Sequence, residues 1–190
     1  MLSSMRYCFA FLSLLLDSCS SSNQLQVQWV SVPLNQVIAA NSASEIVQTA
    51  RKSGGKVRTW KIPVSEAGDF AFADQKRSSF VTAYDPPTAS YPKAKPVEYD
   101  SKMVGVAIQG KVAMASQTRP EVRVKFQDIQ KTGVIRYGPD VEQPVFLTRS
   151  LDTTVLLDGS EWTVQAQPTQ VKDTERHFLM LKAQLTTAEH

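Results

Sequence analysis

Cysteine and histidine are both scarce in this sequence, with two of each among 190 residues. Cys8 falls in an apolar N-terminal run that is expected to be removed, so Cys19 alone would remain, and one cysteine cannot form an intramolecular disulfide. The histidines are His190, the last residue, and His177, which opens the C-terminal strand and is expected at a surface or edge. Because cysteine and histidine do not cluster, zinc and haem sites lack ligands at their usual spacings, and no metal or cofactor is expected.

Motifs that mark common enzyme classes are also absent. The sequence has no Gly-x-Ser-x-Gly nucleophile turn, no glycine-rich phosphate loop and no calcium-binding loop. Neighbouring carboxylates, which could in principle hydrolyse glycosides, fall in predicted turns where solvation accounts for them: Asp140 with Glu142, Asp158 with Glu161, and Asp173 with Glu175. We therefore expect a protein that is not an enzyme.

The charge pattern argues against nucleic acid as a partner. The formal net charge is +3, from 21 basic and 18 acidic residues. Basic residues are scattered singly, with adjacent pairs only at Arg51-Lys52 and Lys76-Arg77, so no basic stripe is formed. The hydrophobic content of 42% is that of an ordinary globular chain.

The N-terminal residues have the pattern of an export signal. Arg6 supplies a positive charge, and the apolar stretch from Tyr7 to Leu16 follows it. A run of about 10 residues suits a cleavable signal and is well short of the roughly 20 that span a bilayer. Residues 1–18 are therefore predicted to be a signal peptide, and the protein is expected in the periplasm or outer membrane.

The residues that follow the apolar run carry a second signal. Leu16, Asp17, Ser18 and Cys19 precede three further serines, and this order resembles the lipobox of bacterial lipoproteins. The resemblance implies a lipid on Cys19, a membrane contact through that lipid, and a serine-rich tether over residues 19–24. Asp17 departs from the pattern, which usually has a small or apolar residue there. The alternative is an ordinary signal peptide cleaved near residues 18–22.

The next segment predicts one strand and one helix. Residues 24–32 alternate between polar and apolar side chains, which is typical of a strand with one buried face. Ser42 and Glu45 form a capping box, and Gly54 follows a stripe of apolar residues, so a helix of about three turns is expected between them. A second strand is predicted over residues 56–64.

A proline-rich segment divides the remaining sequence. Residues 85–96 contain four prolines, which oppose both helix and ladder pairing, and we interpret the segment as a linker or a long exposed loop. It separates a small α+β region over residues 25–84 from a β-rich domain over residues 97–190. In the β-rich part, short strands recur at about 10-residue spacing. The predicted fold class is mainly β (α+β), an antiparallel sandwich or barrel-like sheet with one short N-terminal helix.

Part of this β-rich region resembles a known family. Four segments carry the resemblance: 122–126, 144–149, 153–159 and 178–181. Their order is similar to the later part of the secretin domain, the ring-forming outer-membrane channel of secretion and pilus systems. Residues 161–164 depart from the pattern, because the family usually has a Gly-Gly-Leu-like segment at that point. The resemblance implies a place in an envelope assembly.

Two hypotheses of function follow from the sequence. The first is an exported, lipid-anchored envelope protein with a structural or assembly role in a secretion, conjugation or pilus apparatus. It would bind partner protein subunits, including copies of itself, through the strand at residues 176–185, which is apolar on both faces. The interaction candidates are Trp162, Phe178, Leu179 and Leu181. The alternative is a periplasmic ligand-binding or inhibitor module, whose pocket would use Phe70, Phe72 and Tyr84.

Overall fold

The computed structural model describes residues 23–36, 38, 42–114, 119–158, 161–168 and 173–184. The predicted signal peptide and Cys19 lie outside the described residues. The described elements follow one another in the order β1 Gln24–Pro33, α1 Ala43–Ser53, β2 Val57–Pro63, β3 Asp69–Asp85, β4 Lys95–Met114, β5 Pro120–Arg136, β6 Glu142–Leu156, β7 Thr163–Ala166 and β8 Glu175–Gln184. Strands dominate and all their pairings are antiparallel, so the predicted β-rich fold class with one short helix is confirmed.

The first sheet brings the two ends of the described chain together. Its strand order is β2-β1-β8-β7, so β1 lies between its sequence neighbour β2 and the C-terminal strand β8. The β1–β8 ladder runs from Gln24↔Gln184 to Pro33↔Glu175. The alternation that the sequence shows in β1 places Leu25, Val27 and Trp29 on the face toward the main core.

The predicted helix is confirmed, with both of its end signals. The Ser42 hydroxyl accepts a hydrogen bond from the backbone N–H of Glu45 at 3.4 Å, and Gly54 ends the helix with a φ of 79°. The apolar stripe of α1 buries Ile46 and Ala50 against the other face of the first sheet. This second core contains Val30, Val32, Phe178 and Met180 from the sheet.

The second sheet has the strand order β3-β4-β5-β6. The part of it in which all four strands are paired, which we call the base, packs against the first sheet. The main core between the two sheets contains Leu25, Val27, Trp29, Ile62, Phe70, Val106, Ile108, Val112, Val122, Val124, Phe126, Leu157, Leu179, Leu181 and Ala183. At its centre the rings of Trp29 and Phe126 stack at 4.3 Å between centroids. Because aromatic rings bury large apolar areas, this contact ties the two sheets together.

The proline-rich segment does not separate two units. β3 and β4 form one hairpin whose ladder continues to Asp85↔Lys95, so residues 86–94 form its tip. Strands from both sides of the segment contribute to each core: β1 and β2 come from the region 25–84, and β8 comes from the region 97–190. Residues 86–94 therefore connect two paired strands, and most of them are exposed.

Candidate interaction surface

The second sheet divides into two hairpins along its length. β4 pairs with β5 only from Met114↔Pro120 to Gly105↔Ile129. Beyond that point the β3–β4 ladder and the β5–β6 ladder continue separately. We call the continuing β3–β4 hairpin, residues 76–104, the first arm, and the continuing β5–β6 hairpin, residues 130–147, the second arm.

A glycine lies at the point where the arms separate. Gly105 has a φ of 128°, a conformation that L side chains rarely adopt, and a Cβ built on it would lie 2.1 Å from the backbone oxygen of Asp74. On the facing strand the β5–β6 register shifts between Lys131 and Gly133. A register shift of this kind bends a strand and increases its local twist.

The arms carry most of the exposed apolar surface among the described residues. Ten large hydrophobic side chains are exposed, and eight of them belong to the arms. They are Tyr91, Val97, Tyr99 and Met103 in the first arm, and Val134, Ile135, Tyr137 and Val145 in the second. Tyr99 and Met103 are four residues apart, so they lie on one face of β4, and Val97 lies where the β3–β4 register shifts. Such a concentration of apolar side chains is typical of a protein interaction site.

The arms also present open strand edges. Within the described residues, β4 from 95 to 104 pairs only with β3, and β5 from 130 to 136 pairs only with β6. β3 and β6 are the outer strands of the sheet. A strand edge exposes a row of backbone donors and acceptors that can pair with another chain.

The two arms contact each other through their outer strands. The Tyr84 hydroxyl donates to the backbone oxygen of Glu142 at 3.2 Å and accepts from its backbone N–H at 3.4 Å. Nearby, the rings of Phe80 and Phe146 lie 5.4 Å apart, and Lys102 Nζ lies 5.2 Å from the centroid of the Phe146 ring. This contact joins β3 and β4 of the first arm to β6 of the second.

The predicted interaction strand, β8, lies inside the first sheet and not at its edge. β8 is paired on one side with β1 and on the other with β7, so it is not a free edge. Leu179 and Leu181 are 0% exposed and belong to the main core, and Phe178 is 9% exposed in the second core. Trp162 is half-buried and packs against the second core. The apolar character of both faces of this strand corresponds to burial on both faces.

The residues proposed for a ligand pocket do not line a common cavity. Phe70 is buried in the main core, and Phe72 packs against Trp60 with ring centroids 6.0 Å apart. Tyr84 lies near the end of the first arm, 12 residues further along β3 and on the order of 40 Å away in an extended strand. A separate cleft of about 370 Å³ lies on the second sheet, and its lining combines polar side chains such as Gln109, Lys125 and Asp152 with the apolar Ala107, Phe126 and Leu151.

A buried group of charged residues lies at the base of the second arm. Asp128 is 1% exposed beside Arg58 at 3.6 Å, and its ladder partner Arg149 lies 3.5 Å from Asp173. No local sequence pattern indicated this group, because its members are far apart in the chain and meet only through the pairing of β5 with β6 and the packing of the two sheets.

His177 belongs to the same region and is buried, not at the surface as predicted. It is 5% exposed, and its ring stacks on Trp29 at 5.2 Å with an interplanar angle of 7°. Burial lowers the pKa of His177, and the positive charge of Arg149 lowers it further, whereas Glu175, Asp173 and Asp128 act in the opposite direction. The uninterrupted apolar run that follows His177 was the available signal that this end of β8 is buried.

The described residues contain neither a metal-binding cluster nor a membrane-spanning helix. No group of three or more His, Cys, Asp or Glu side chains among them is placed to hold a metal. Within the same residues, no helix has both the length and the apolar character needed to cross a membrane.

No protein-family model and no curated protein sequence matches this chain. Among solved structures, it is similar to the secretin-domain β-barrel of InvG from the Salmonella SPI-1 injectisome, with a TM-score of 0.48 and 10% identity over 85% of this chain and 59% of that one. ExeD of Aeromonas hydrophila gives a TM-score of 0.35 and 9% identity over 85% and 47% of the two chains. GspD, the type II secretion secretin of E. coli K12, gives 0.30 and 11% over 85% and 47%.

This chain therefore spans 47 to 59% of the length of these three structures. At identities of 9 to 11% the likeness concerns the fold alone.

Proposed function

We propose that this protein is a structural subunit of a bacterial envelope assembly, in a secretion, conjugation or pilus apparatus, and that it binds partner subunits through its two arms. In this proposal the protein is exported, resides in the periplasm or outer membrane, and has no catalytic activity. Its partners are protein subunits, including further copies of this chain.

The observation that carries the proposal is the composition of the arms. Eight of the ten exposed large hydrophobic side chains of the described residues lie there, on hairpins whose strand edges are open. An apolar face supplies burial, and an open edge supplies backbone hydrogen bonds, so the arms offer both kinds of contact that strand addition uses. The sequence resemblance to the secretin domain supports the same kind of partner.

The arms are a better interaction surface than the strand that the sequence suggested. Leu179 and Leu181 are enclosed by the main core, and a partner could reach them only if the subunit unfolded. Val97 and Tyr99, in contrast, are 44% and 68% exposed. The proposed role of β8 is therefore to hold the base of the molecule together while the arms extend from it.

Charge substitutions on the arms test this function. The full chain is expressed with its N-terminal segment, extracted from envelopes in mild detergent, and sized by chromatography with light scattering. Val97→Asp and Tyr99→Asp are expected to remove the large complex, because a carboxylate would be buried without a partner at the interface. Leu156→Asp is the matched control, since Leu156 is 55% exposed on the base of β6, outside the arms. A complex unchanged by both arm substitutions would contradict the proposal.

The lipid anchor is the second part of the proposal and has its own test. Mass spectrometry of the mature N-terminus is expected to find Cys19 as the first residue, carrying acyl chains. Cys19→Ala is expected to release the protein from the membrane fraction, because a covalent lipid supplies its attachment. An unmodified N-terminus beyond Cys19 would refute the anchor and leave the assembly role standing.

A further inference from the structure

The hydrogen bonds between Tyr84 and Glu142 are unusual because one side chain satisfies both backbone groups of a strand residue. The Tyr84 hydroxyl donates to the Glu142 carbonyl at 3.2 Å and accepts from the Glu142 N–H at 3.4 Å. A hydroxyl has one donor and two acceptor positions, so it can make both bonds at once.

These two backbone groups lie on the outer edge of β6. In an antiparallel ladder, both backbone groups of a residue point either toward the partner strand or away from it, in alternation. The Glu142 groups bond to Tyr84 of the first arm, so they point away from Arg136, the ladder partner of Glu142 in β5. A strand added to this edge of β6 would need the same donor and acceptor.

Side-chain contacts hold the arms in this position. The Phe80 and Phe146 rings lie 5.4 Å apart and tilted by 53°, a favourable arrangement for two aromatic rings. Lys102 lies 5.2 Å from the centroid of the Phe146 ring, within the range of a cation–π interaction. All of these residues except Glu142 are half-buried, so the contact covers part of β6 that would otherwise be accessible.

We propose that the Tyr84–Glu142 contact is an autoinhibitory latch that covers the start of the β6 edge in the free subunit and must open before another strand pairs there. The inference rests on the proposed function, because it assumes that the arms are assembly surfaces, and it adds a control on that assembly. The occupant that replaces Tyr84 is a strand of a second copy of this chain, since each copy carries the matching open edges on its own arms. The latch thus slows pairing until subunits are concentrated at the assembly site.

Removal of one oxygen atom tests the latch. Tyr84→Phe keeps the ring and deletes both hydrogen bonds to Glu142. Loss of hydrogen bonds of this kind shifts the equilibrium between the closed and the open latch by about 3- to 10-fold toward the open state. Because only the open state can pair with another strand, self-assembly of the full chain in detergent is expected to accelerate by about that factor. Amide hydrogen exchange at Glu142 is expected to accelerate as well, because its N–H loses its protein acceptor. Thr154→Val is the control, since it removes a hydroxyl from an exposed position of β6 that lies outside the arms.

The outcomes separate the latch from the proposed function. Faster assembly of Tyr84→Phe than of wild type and Thr154→Val supports the latch, including the case in which wild type stays monomeric and Tyr84→Phe assembles. Equal or slower assembly of Tyr84→Phe overturns the latch, even if Glu142 exchange rises. The proposed function is judged independently, by whether Val97→Asp and Tyr99→Asp remove the complex formed in the envelope. Phe80→Leu, which weakens the ring contact alone, is expected to act in the same direction as Tyr84→Phe.

Discussion

Gly105→Ala should be among the most damaging single-methyl changes in this molecule, because Gly105 lies where the two arms separate. Its φ of 128° costs an L residue about 1–3 kcal/mol. The added Cβ would also lie 2.1 Å from the backbone oxygen of Asp74, which has no flexible side chain to move aside. Forcing extra atoms into such a site costs roughly a further 1–3 kcal/mol, so a loss of about 2–6 kcal/mol is expected.

A loss of that size is a large part of the total stability of a domain, which is about 5–15 kcal/mol. Denaturant unfolding is followed by the fluorescence of Trp29 and Trp60, which lie in or against the main core. Gly133→Ala is the matched control. It lies on the facing strand, has no positive φ, and an added Cβ there meets nothing within 4 Å, so its effect should stay within about 1 kcal/mol. If Gly105→Ala changed the free energy of unfolding by less than Gly133→Ala does, the account of the branch would be refuted.

Two further predictions concern the core. Because the folded-state pKa of His177 is lowered, the unfolded chain binds a proton at this residue more readily than the folded chain does. The free energy of unfolding should therefore be greatest above about pH 6.5 and decrease as the pH falls below that value. In unfolding measurements between pH 5 and 8, His177→Gln should lose this decline, and a variant that keeps the wild-type slope would exclude His177 as its source. Leu179→Asp should prevent folding, at a cost above about 4 kcal/mol, because it places a carboxylate in the main core. Arg176→Asp, at an exposed position of the same strand, should stay within about 0.5 kcal/mol in the same circular dichroism melt.

The local elements were predictable because their signals lie within a few residues of one another. Alternation in β1 and the Ser42 and Gly54 caps of α1 depend on local chemistry, and the structure has both. The strands after Pro96 were expected to be short, whereas β4, β5 and β6 contain 20, 17 and 15 residues. The strands are longer because they continue through Gly105 and Gly133, which lie inside β4 and β5.

The candidate site could not be predicted, because it depends on pairing between distant segments. Nothing near Lys95 indicates that β4 leaves β5 at Gly105 and forms an arm with β3 alone. The apolar run of β8 was correctly seen as two-sided, but periodicity does not distinguish a strand between two neighbours from one that awaits a partner. Three of the four expected interaction residues, Phe178, Leu179 and Leu181, were therefore placed in this strand, while the exposed large apolar side chains lie mostly on the arms.

Site-specific photo-crosslinking in intact envelopes tests the central proposal most directly. A photoreactive residue is placed at Tyr99 on the first arm, at Ile135 on the second arm, or at Leu156 on the base, which are exposed by 68%, 47% and 55%. The proposal predicts discrete crosslinks to protein subunits from positions 99 and 135, and none of comparable yield from position 156. Crosslinks from position 156 alone, or equal yields from all three positions, would contradict a role for the arms in assembly.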